Sequence, residues 1–210
     1  IAVMRGACTI RDSYIAGNLA DGDYLHGQNK GGGLYLNGTA EVHNTVIKWN
    51  DSVRSGNYLS RGDGVFVGAS GKVLLKNCLI ADNHGGDMGV GIWQEGGVLL
   101  VENSTLATNS NYGVYRNAGS MVISNCILWA NGDDIYEAAP ALSVLYSDIE
   151  DGDNIGNQGC ISSDPFFVDW TYYHPQSPYG NYIDGYLSGG GWSSSAELSP
   201  TIDACDPAVR

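Results

Sequence analysis

Apolar positions recur through the first three quarters of the chain at fixed offsets from asparagine. Five segments share one nine-residue pattern. Its first residue is apolar, its third is Asn or Asp, its fourth is small, its sixth is Ile or Leu, and its ninth is a closing Asn. They occupy residues 10–18, 42–50, 75–83, 101–109 and 123–131, and a degenerate sixth follows at 144–149. Such a repeat is typical of a solenoid, in which each unit buries its apolar face against the next.

A second marker, in which Gly or Asp precedes an aliphatic and then an aromatic residue, opens each unit. It occurs at residues 33–35, 64–66, 91–93, 113–115 and 134–136. Because side chains alternate between the two faces of a strand, we expect three inward columns of aliphatic residues. The columns are Leu34, Val65, Ile92, Val114 and Ile135; Val42, Leu75, Val101 and Ile123; and Ile15, Ile47, Ile80, Leu106 and Leu128.

These columns predict an all-β fold, a right-handed parallel β-helix of about five coils over residues 1–158. Gly, Asn and β-branched residues interrupt every helical window, and an antiparallel sandwich gives no reason for columns of one residue type. Residues 159–210 are predicted to form an irregular, aromatic-rich cap packed on the coils, because an open solenoid end exposes unpaired strand edges.

The polar residue at the bend of each repeat is predicted to be structural, since Asn tolerates the left-handed conformation and can bond to the next coil. These residues are Asp12, Asn44, Asn77, Asn103 and Asn125. Cys78 and Cys126 occupy one position two coils apart, too far for a disulfide, and are predicted to be buried thiols. Cys160 and Cys205 lie in the tail and either form a disulfide or remain thiols.

The charge distribution limits the partners. The net charge is −13, and nine of the ten Lys and Arg residues lie at or before Arg116. Such a surface repels nucleic acid, and it repels anionic polysaccharide unless a divalent cation bridges the two. No apolar stretch is long enough to span a membrane, and the N-terminal residues lack a signal-peptide pattern. The chain opens inside a repeat, so we expect it to be part of a longer protein.

The repeats resemble those of bacterial secreted and surface β-helix proteins, including pectate lyases, polygalacturonases and adhesin passengers. Residues 31–35 and 46–50 also resemble the repeats of polymorphic outer-membrane proteins. The tail elements at residues 162–169 and 199–207 are similar to those of bacterial β-helix proteins of unassigned function, with Cys205 in place of the usual Gly. The resemblance implies an extracellular or cell-surface location and a polysaccharide or cell-surface glycan as partner.

An aromatic column is the principal candidate site. Its residues alternate with the inward aliphatic ones, so we expect them to face outward from one sheet as an exposed strip that binds carbohydrate. They are Tyr35, Phe66, Trp93, Tyr115 and Tyr136. The alternative is a self-stacking ladder covered by the long loops Leu19 to Gly32 and Asp51 to Asp63.

Candidate catalytic residues lie on the loops and at the start of the last coil. A β-eliminating lyase needs a base and cations that neutralise a sugar carboxylate, and Arg54, Arg61 and His84 could supply these groups. Asp133 and Asp134 resemble the paired carboxylates of a glycoside hydrolase such as polygalacturonase, although the other elements of that site are missing.

A candidate metal site follows the last repeat. Asp148, Asp151 and Asp153 cluster around Gly152, and such oxygen ligands suit Ca²⁺. The complete twelve-residue calcium-loop pattern is absent, so an acidic surface turn is the alternative.

The sequence therefore predicts a secreted or cell-surface module that binds carbohydrate or mediates adhesion through an exposed aromatic face. The alternatives are a polysaccharide lyase or glycoside hydrolase working in the same groove, and a structural spacer within a larger surface protein.

Overall fold

The computed structural model describes residues 1–21, 29–53, 60–85, 88, 90–138, 142–185 and 189–202. In these residues the chain winds as a right-handed parallel β-helix with three six-stranded sheets, and they include no helix. None of the described residues therefore forms a helix that could cross a membrane.

Each coil contributes one strand to each sheet. The first sheet comprises β1 (Ala2–Val3), β5 (Leu34–Leu36), β9 (Val65–Val67), β12 (Val90–Gln94), β15 (Tyr112–Arg116) and β18 (Asp133–Glu137). The second comprises β2 (Ala7–Arg11), β6 (Thr39–His43), β10 (Lys72–Lys76), β13 (Val98–Glu102), β16 (Ser120–Ser124) and β19 (Leu142–Leu145). The third comprises β3 (Tyr14–Ala16), β7 (Val46–Lys48), β11 (Leu79–Ala81), β14 (Thr105–Ala107), β17 (Ile127–Trp129) and β20 (Asp148–Ile149).

Two short pairs complete the described strands. The parallel pair β4 (Leu19–Ala20) and β8 (Asp51–Ser52) joins the loops that leave the third sheet. The antiparallel pair β21 (Asn181–Ile183) and β22 (Gly191–Ser193) lies in the tail. The six strands of each sheet form six coils, one more than the repeat count suggested. The additional coil comes from the degenerate last repeat, whose strand β20 pairs with β17.

The predicted inward columns are confirmed. Equivalent residues pair in register, as Ile47 does with Ile80 and Leu75 with Val101. All fourteen predicted inward residues belong to one continuous buried cluster inside the coils. This burial supplies the main stabilisation, because no single coil could bury its own apolar face.

The predicted asparagine bend is also confirmed. Asp12, Asn44, Asn77, Asn103 and Asn125 all adopt left-handed backbone angles, with φ between 49° and 54°. The Asn44 amide donates to Asp12 Oδ1 at 3.0 Å, and the Asn77 amide donates to Asn44 Oδ1 at 3.1 Å. We call this row the outer ladder.

The closing asparagines form a second ladder that the sequence did not reveal. The amide Nδ2 of Asn50 donates to Asn83 Oδ1, Asn83 donates to Asn109, and Asn109 donates to Asn131, each at 3.0 Å. Each Nδ2 also donates to a backbone carbonyl, such as that of Ile47 for Asn83. We call this row, which is largely buried, the inner ladder.

The cysteines behave as expected where they are described. Cys78 and Cys126 are buried free thiols, and burial raises the pKa of Cys78 to about 11 and that of Cys126 to about 12. Cys160 is also a buried free thiol, whose Sγ lies 3.5 Å from the carbonyl of Val144. Its possible disulfide partner, Cys205, lies outside the described residues.

The tail first closes the last coil and then returns along the third sheet. Ile161 donates to the carbonyl of Ser147, and Ile149 donates to that of Ile161, so the chain adds a partial rung beyond β20. Further on, Phe167 and Tyr173 pack against Ala81 and Ala107 on the outer face of the third sheet. The tail is thus both a cap and a strap. The boundary between residues 158 and 159 stays a prediction.

Candidate functional site

The aromatic column exists, and it is stacked. Register pairs Tyr35 with Phe66, Phe66 with Trp93, Trp93 with Tyr115 and Tyr115 with Tyr136. The Trp93 and Tyr115 rings are 4.0 Å apart and 3° from parallel, and the Tyr115 and Tyr136 rings are 4.6 Å apart. Tyr35 and Phe66 form a second stack at 5.2 Å.

The expectation that the column is exposed is wrong at its centre. Phe66 is 1% exposed and Trp93 is 3% exposed. The ammonium group of Lys30 lies 4.9 Å from the centre of the Phe66 ring, and the guanidinium of Arg61 lies 4.9 Å from that of Trp93. These two residues lie near the ends of the two long loops, whose central parts at 22–28 and 54–59 lie outside the described residues. The cations cover the rings through cation–π contacts.

Stacking also changes what the column can bind. A sugar packs its apolar face on the face of an aromatic ring, but stacked rings cover one another and leave mainly their edges free. Tyr35 and Tyr115 are half-buried, and only Tyr136, at 39% exposure, is open to solvent. The column is therefore mainly a structural ladder, which was the alternative interpretation of the sequence.

The predicted catalytic residues have separate environments. Arg61 forms an ion pair with Glu95 at 3.3 Å beside Trp93, while His84 is exposed and its backbone N–H donates to Asn50. Arg54 lies outside the described residues. Asp133 is half-buried in β18, and burial together with Asp151 raises its pKa. The side chains of Arg61, His84 and Asp133 line neither of the two cavities described below.

Asp134 lies in a buried hydrogen-bond network at the end of the inner ladder. Its side chain is buried, and Oδ1 accepts the amide of Asn131 at 2.8 Å while Oδ2 accepts the N–H of Glu150 at 2.8 Å. Burial raises its pKa to about 7, although these hydrogen bonds oppose the rise. Asp134 therefore has a structural role in the inner ladder, and its assignment as a candidate hydrolase carboxylate stays a prediction.

The acidic cluster differs by one residue from the predicted set. Carboxylate oxygens of Asp133, Asp151 and Asp153 lie within 4.8 Å of one another. Asp148 does not belong to this group, because it is buried and its Oδ1 accepts the N–H of Ser163 at 2.9 Å. The prediction that Asp148 joins Asp151 and Asp153 is thus wrong, and calcium binding by this turn stays a prediction.

A groove lies between the returning tail and the coils, and we call it the tail groove. Its volume is about 450 Å³, within the range of small-molecule sites. The floor is formed by residues at the start of successive third-sheet strands, and the outer ladder forms one rim. The floor residues are Tyr14, Val46, Leu79 and Thr105, and the rim residues are Asp12, Asn44, Asn77 and Asn103.

The opposite wall of the groove comes from the tail. Tyr172, His174 and Gly185 line it, and the rings of Tyr172 and His174 are stacked at 6.3 Å. Tyr14 is 44% exposed, and burial and the nearby Tyr172 raise its pKa. Burial lowers the pKa of His174, so its imidazole is uncharged at neutral pH. The lining residues that the structure describes include no Lys or Arg.

The tail groove could not be found from the sequence. Tyr14 and Tyr172 are far apart in the chain, and the repeat pattern does not specify which coil the tail meets. The sequence contained only weak signals for this groove. The tail is rich in aromatic residues, and Tyr14 faces outward in a third-sheet strand.

Comparison with known proteins supports the fold. The family model described as a right-handed beta helix region matches residues 2–160. The chain belongs to this family. No curated protein and no solved structure matches the chain. The β-helix family match ends before Tyr172, so part of the tail groove lies outside it, and membership of a β-helix family does not by itself define a function.

Proposed function

We propose that the protein is an extracellular or cell-surface module that binds carbohydrate in the tail groove. The observation that carries this proposal is a groove of about 450 Å³ with aromatic rings on its floor and opposite wall and a row of amides on its rim. Tyr14 and Tyr172 offer apolar ring surface, and Asn44, Asn77 and Asn103 offer hydrogen-bond donors and acceptors. Sugars present the same combination of apolar faces and hydroxyl edges.

The electrostatics favour an uncharged glycan. Among the described lining residues, Asp12 is the only acidic side chain, Lys and Arg are absent, and His174 is held neutral by burial. A polyuronate would meet no cation among these residues and a net protein charge of −13. The geometry therefore gives less support to lyase activity than to binding of a neutral oligosaccharide.

The experiment compares two tyrosines of similar exposure. Tyr14 lies in the tail groove and is 44% exposed, whereas Tyr136 ends the aromatic column and is 39% exposed. We expect a neutral-glycan array to identify a ligand, and Tyr14→Ala to weaken its affinity by roughly tenfold in calorimetric titration, because loss of about 1.4 kcal/mol of ring packing is tenfold in Kd. Tyr136→Ala should leave the affinity unchanged.

Other outcomes point elsewhere. Loss of binding in Tyr136→Ala alone would move the site to the aromatic column, and loss on chelation of divalent cations would move it to the acidic cluster. Unsaturated products from a polyuronate would support a lyase. Absence of any glycan binding would favour the spacer.

A further inference from the structure

A second, smaller cavity lies beyond Pro175, which lines both it and the tail groove. It encloses about 140 Å³, and its lining includes Asn125, Tyr146, Asp148 and Thr201. Asn125 follows Asn103 in the row of bend residues, so the cavity continues the line of the rim towards the last coil. We call it the Asp148 chamber.

Asp148 has one oxygen without a protein partner. The residue is 2% exposed, Oδ1 accepts the N–H of Ser163 at 2.9 Å, and Oδ2 is buried with no hydrogen-bond partner. A buried carboxylate oxygen is strongly destabilising unless a donor or cation pairs with it. The described lining residues include no Lys or Arg, so none of them compensates the charge.

The surroundings make the chamber electronegative. Burial raises the pKa of Asp148 to about 6; the Ser163 hydrogen bond opposes this rise, and the charge of Asp164 adds to it. When it is ionised, the Asp148 carboxylate gives the chamber one negative charge. Thr201 and Asn125 add neutral oxygen atoms to the lining.

We infer that the Asp148 chamber binds one compact monovalent cation, either an alkali-metal ion such as potassium or the primary ammonium group of an organic ligand. One carboxylate balances one positive charge, whereas the double charge of Ca²⁺ is usually balanced by several carboxylates. This site is independent of the tail groove and goes beyond the proposed function.

The test is thermal unfolding in chloride salts of potassium, methylammonium and tetramethylammonium at equal concentration. Tetramethylammonium controls for ionic strength, since it cannot donate a hydrogen bond and is bulky. We expect potassium, methylammonium or both to raise Tm by about 4 °C at ten times Kd relative to tetramethylammonium. The cation that raises Tm shows whether the chamber binds an alkali-metal ion or a primary ammonium group.

Variants connect the effect to the chamber. Asp148→Asn should abolish the difference between the salts, while Asp164→Asn, which changes an exposed carboxylate nearby, should only weaken it. If Asp148→Asn does not fold, Thr201→Val should still reduce the difference several-fold. An equal response of the unaltered protein to all three salts, or the same salt preference in Asp148→Asn, would overturn the inference. We expect Tyr14→Ala to keep the response to the salts even when it loses glycan binding. Failure of one proposal would therefore leave the other standing.

Discussion

Lys48 shows how one side chain connects the coils to the tail. It is 1% exposed, and its ammonium group lies 2.9 Å from Asp82 Oδ2 and donates to the carbonyl of Thr171. It also lies over the rings of Trp49 and Tyr173, at 4.7 and 5.3 Å from their centres. Thr171 immediately precedes Tyr172, so this buried charge fixes the tail wall of the groove.

Replacing Lys48 should release the tail. We expect Lys48→Met to lower the free energy of unfolding by about 3 kcal/mol, because it leaves Asp82 without its cation and Thr171 without a donor. Limited proteolysis should then cut the tail while far-UV circular dichroism of the coils is preserved. Lys76→Met is the matched control, since Lys76 forms an exposed pair with Glu102 and should change stability by less than about 1 kcal/mol. A protected tail in Lys48→Met would contradict this role.

The environments of some individual residues could not be predicted from the sequence. Alternation predicted that Phe66 and Trp93 leave the coil interior, and they do. Their burial depends on Lys30 and Arg61, whose positions follow from loop paths that no periodic pattern encodes. Similarly, Trp49, which precedes a closing asparagine, has a φ of 54°. This is a left-handed backbone conformation that tryptophan does not favour.

Between coils, the two asparagine ladders differ in burial and therefore in energetic weight. Asn83 is fully buried, and its Oδ1 accepts from both the N–H and the Nδ2 of Asn50 while its Nδ2 donates to Asn109 and to Ile47. Asn77 lies on the exposed outer ladder, where water can replace a lost bond.

The ladders should respond unequally to the same substitution. We expect Asn83→Ala to cost about 4 kcal/mol of unfolding free energy, because it leaves several buried groups without partners. Asn77→Ala should cost about 1 kcal/mol, through one exposed bond and the left-handed preference of Asn. Chemical denaturation measures both values, and equal losses would show that the inner ladder has no special role.

At the scale of strands and coils, the sequence predicted the strands and their register well. It did not predict which coils the tail contacts. Same-type columns at fixed offsets imply register, since only stacked coils bring Ile47 beside Ile80. The closing asparagines were recognised as repeat markers, yet their inward direction was not deduced. The tail groove depends on a long-range return of the chain to the third sheet, for which the repeats contain no information.

For the molecule as a whole, buried carboxylates determine the pH dependence of stability. Burial raises the pKa of Asp63 to about 6, of Asp134 to about 7 and of Asp148 to about 6, all above the ordinary value near 3.8. Groups of this kind favour folding when protonated, and that contribution is lost as pH rises through the folded-state pKa. His174, whose pKa is lowered by burial, acts in the opposite direction.

The protein should therefore be more stable in mild acid than in mild alkali. We expect Tm to fall by several degrees between about pH 5 and pH 8, the interval in which the three carboxylates ionise in the folded state. The net charge of −13 acts in the same sense, because self-repulsion grows as acids ionise. Thermal scans at low and high salt separate the two effects, since salt screens surface repulsion more than buried charge. A Tm that rises with pH would contradict the assignment.

The inner ladder has a direction, and this constrains how the solenoid can lengthen. Each amide from Asn18 to Asn131 donates one of its two hydrogens to a side-chain oxygen of the following coil, and the run ends at Asp134, whose Oδ1 accepts the last of these bonds. An extra coil carrying asparagine at the closing position would be accepted at any point before that residue, because each junction is chemically identical to the next. Gene duplication could thus change the number of coils one unit at a time, while Asp134 keeps its place at the end of the ladder.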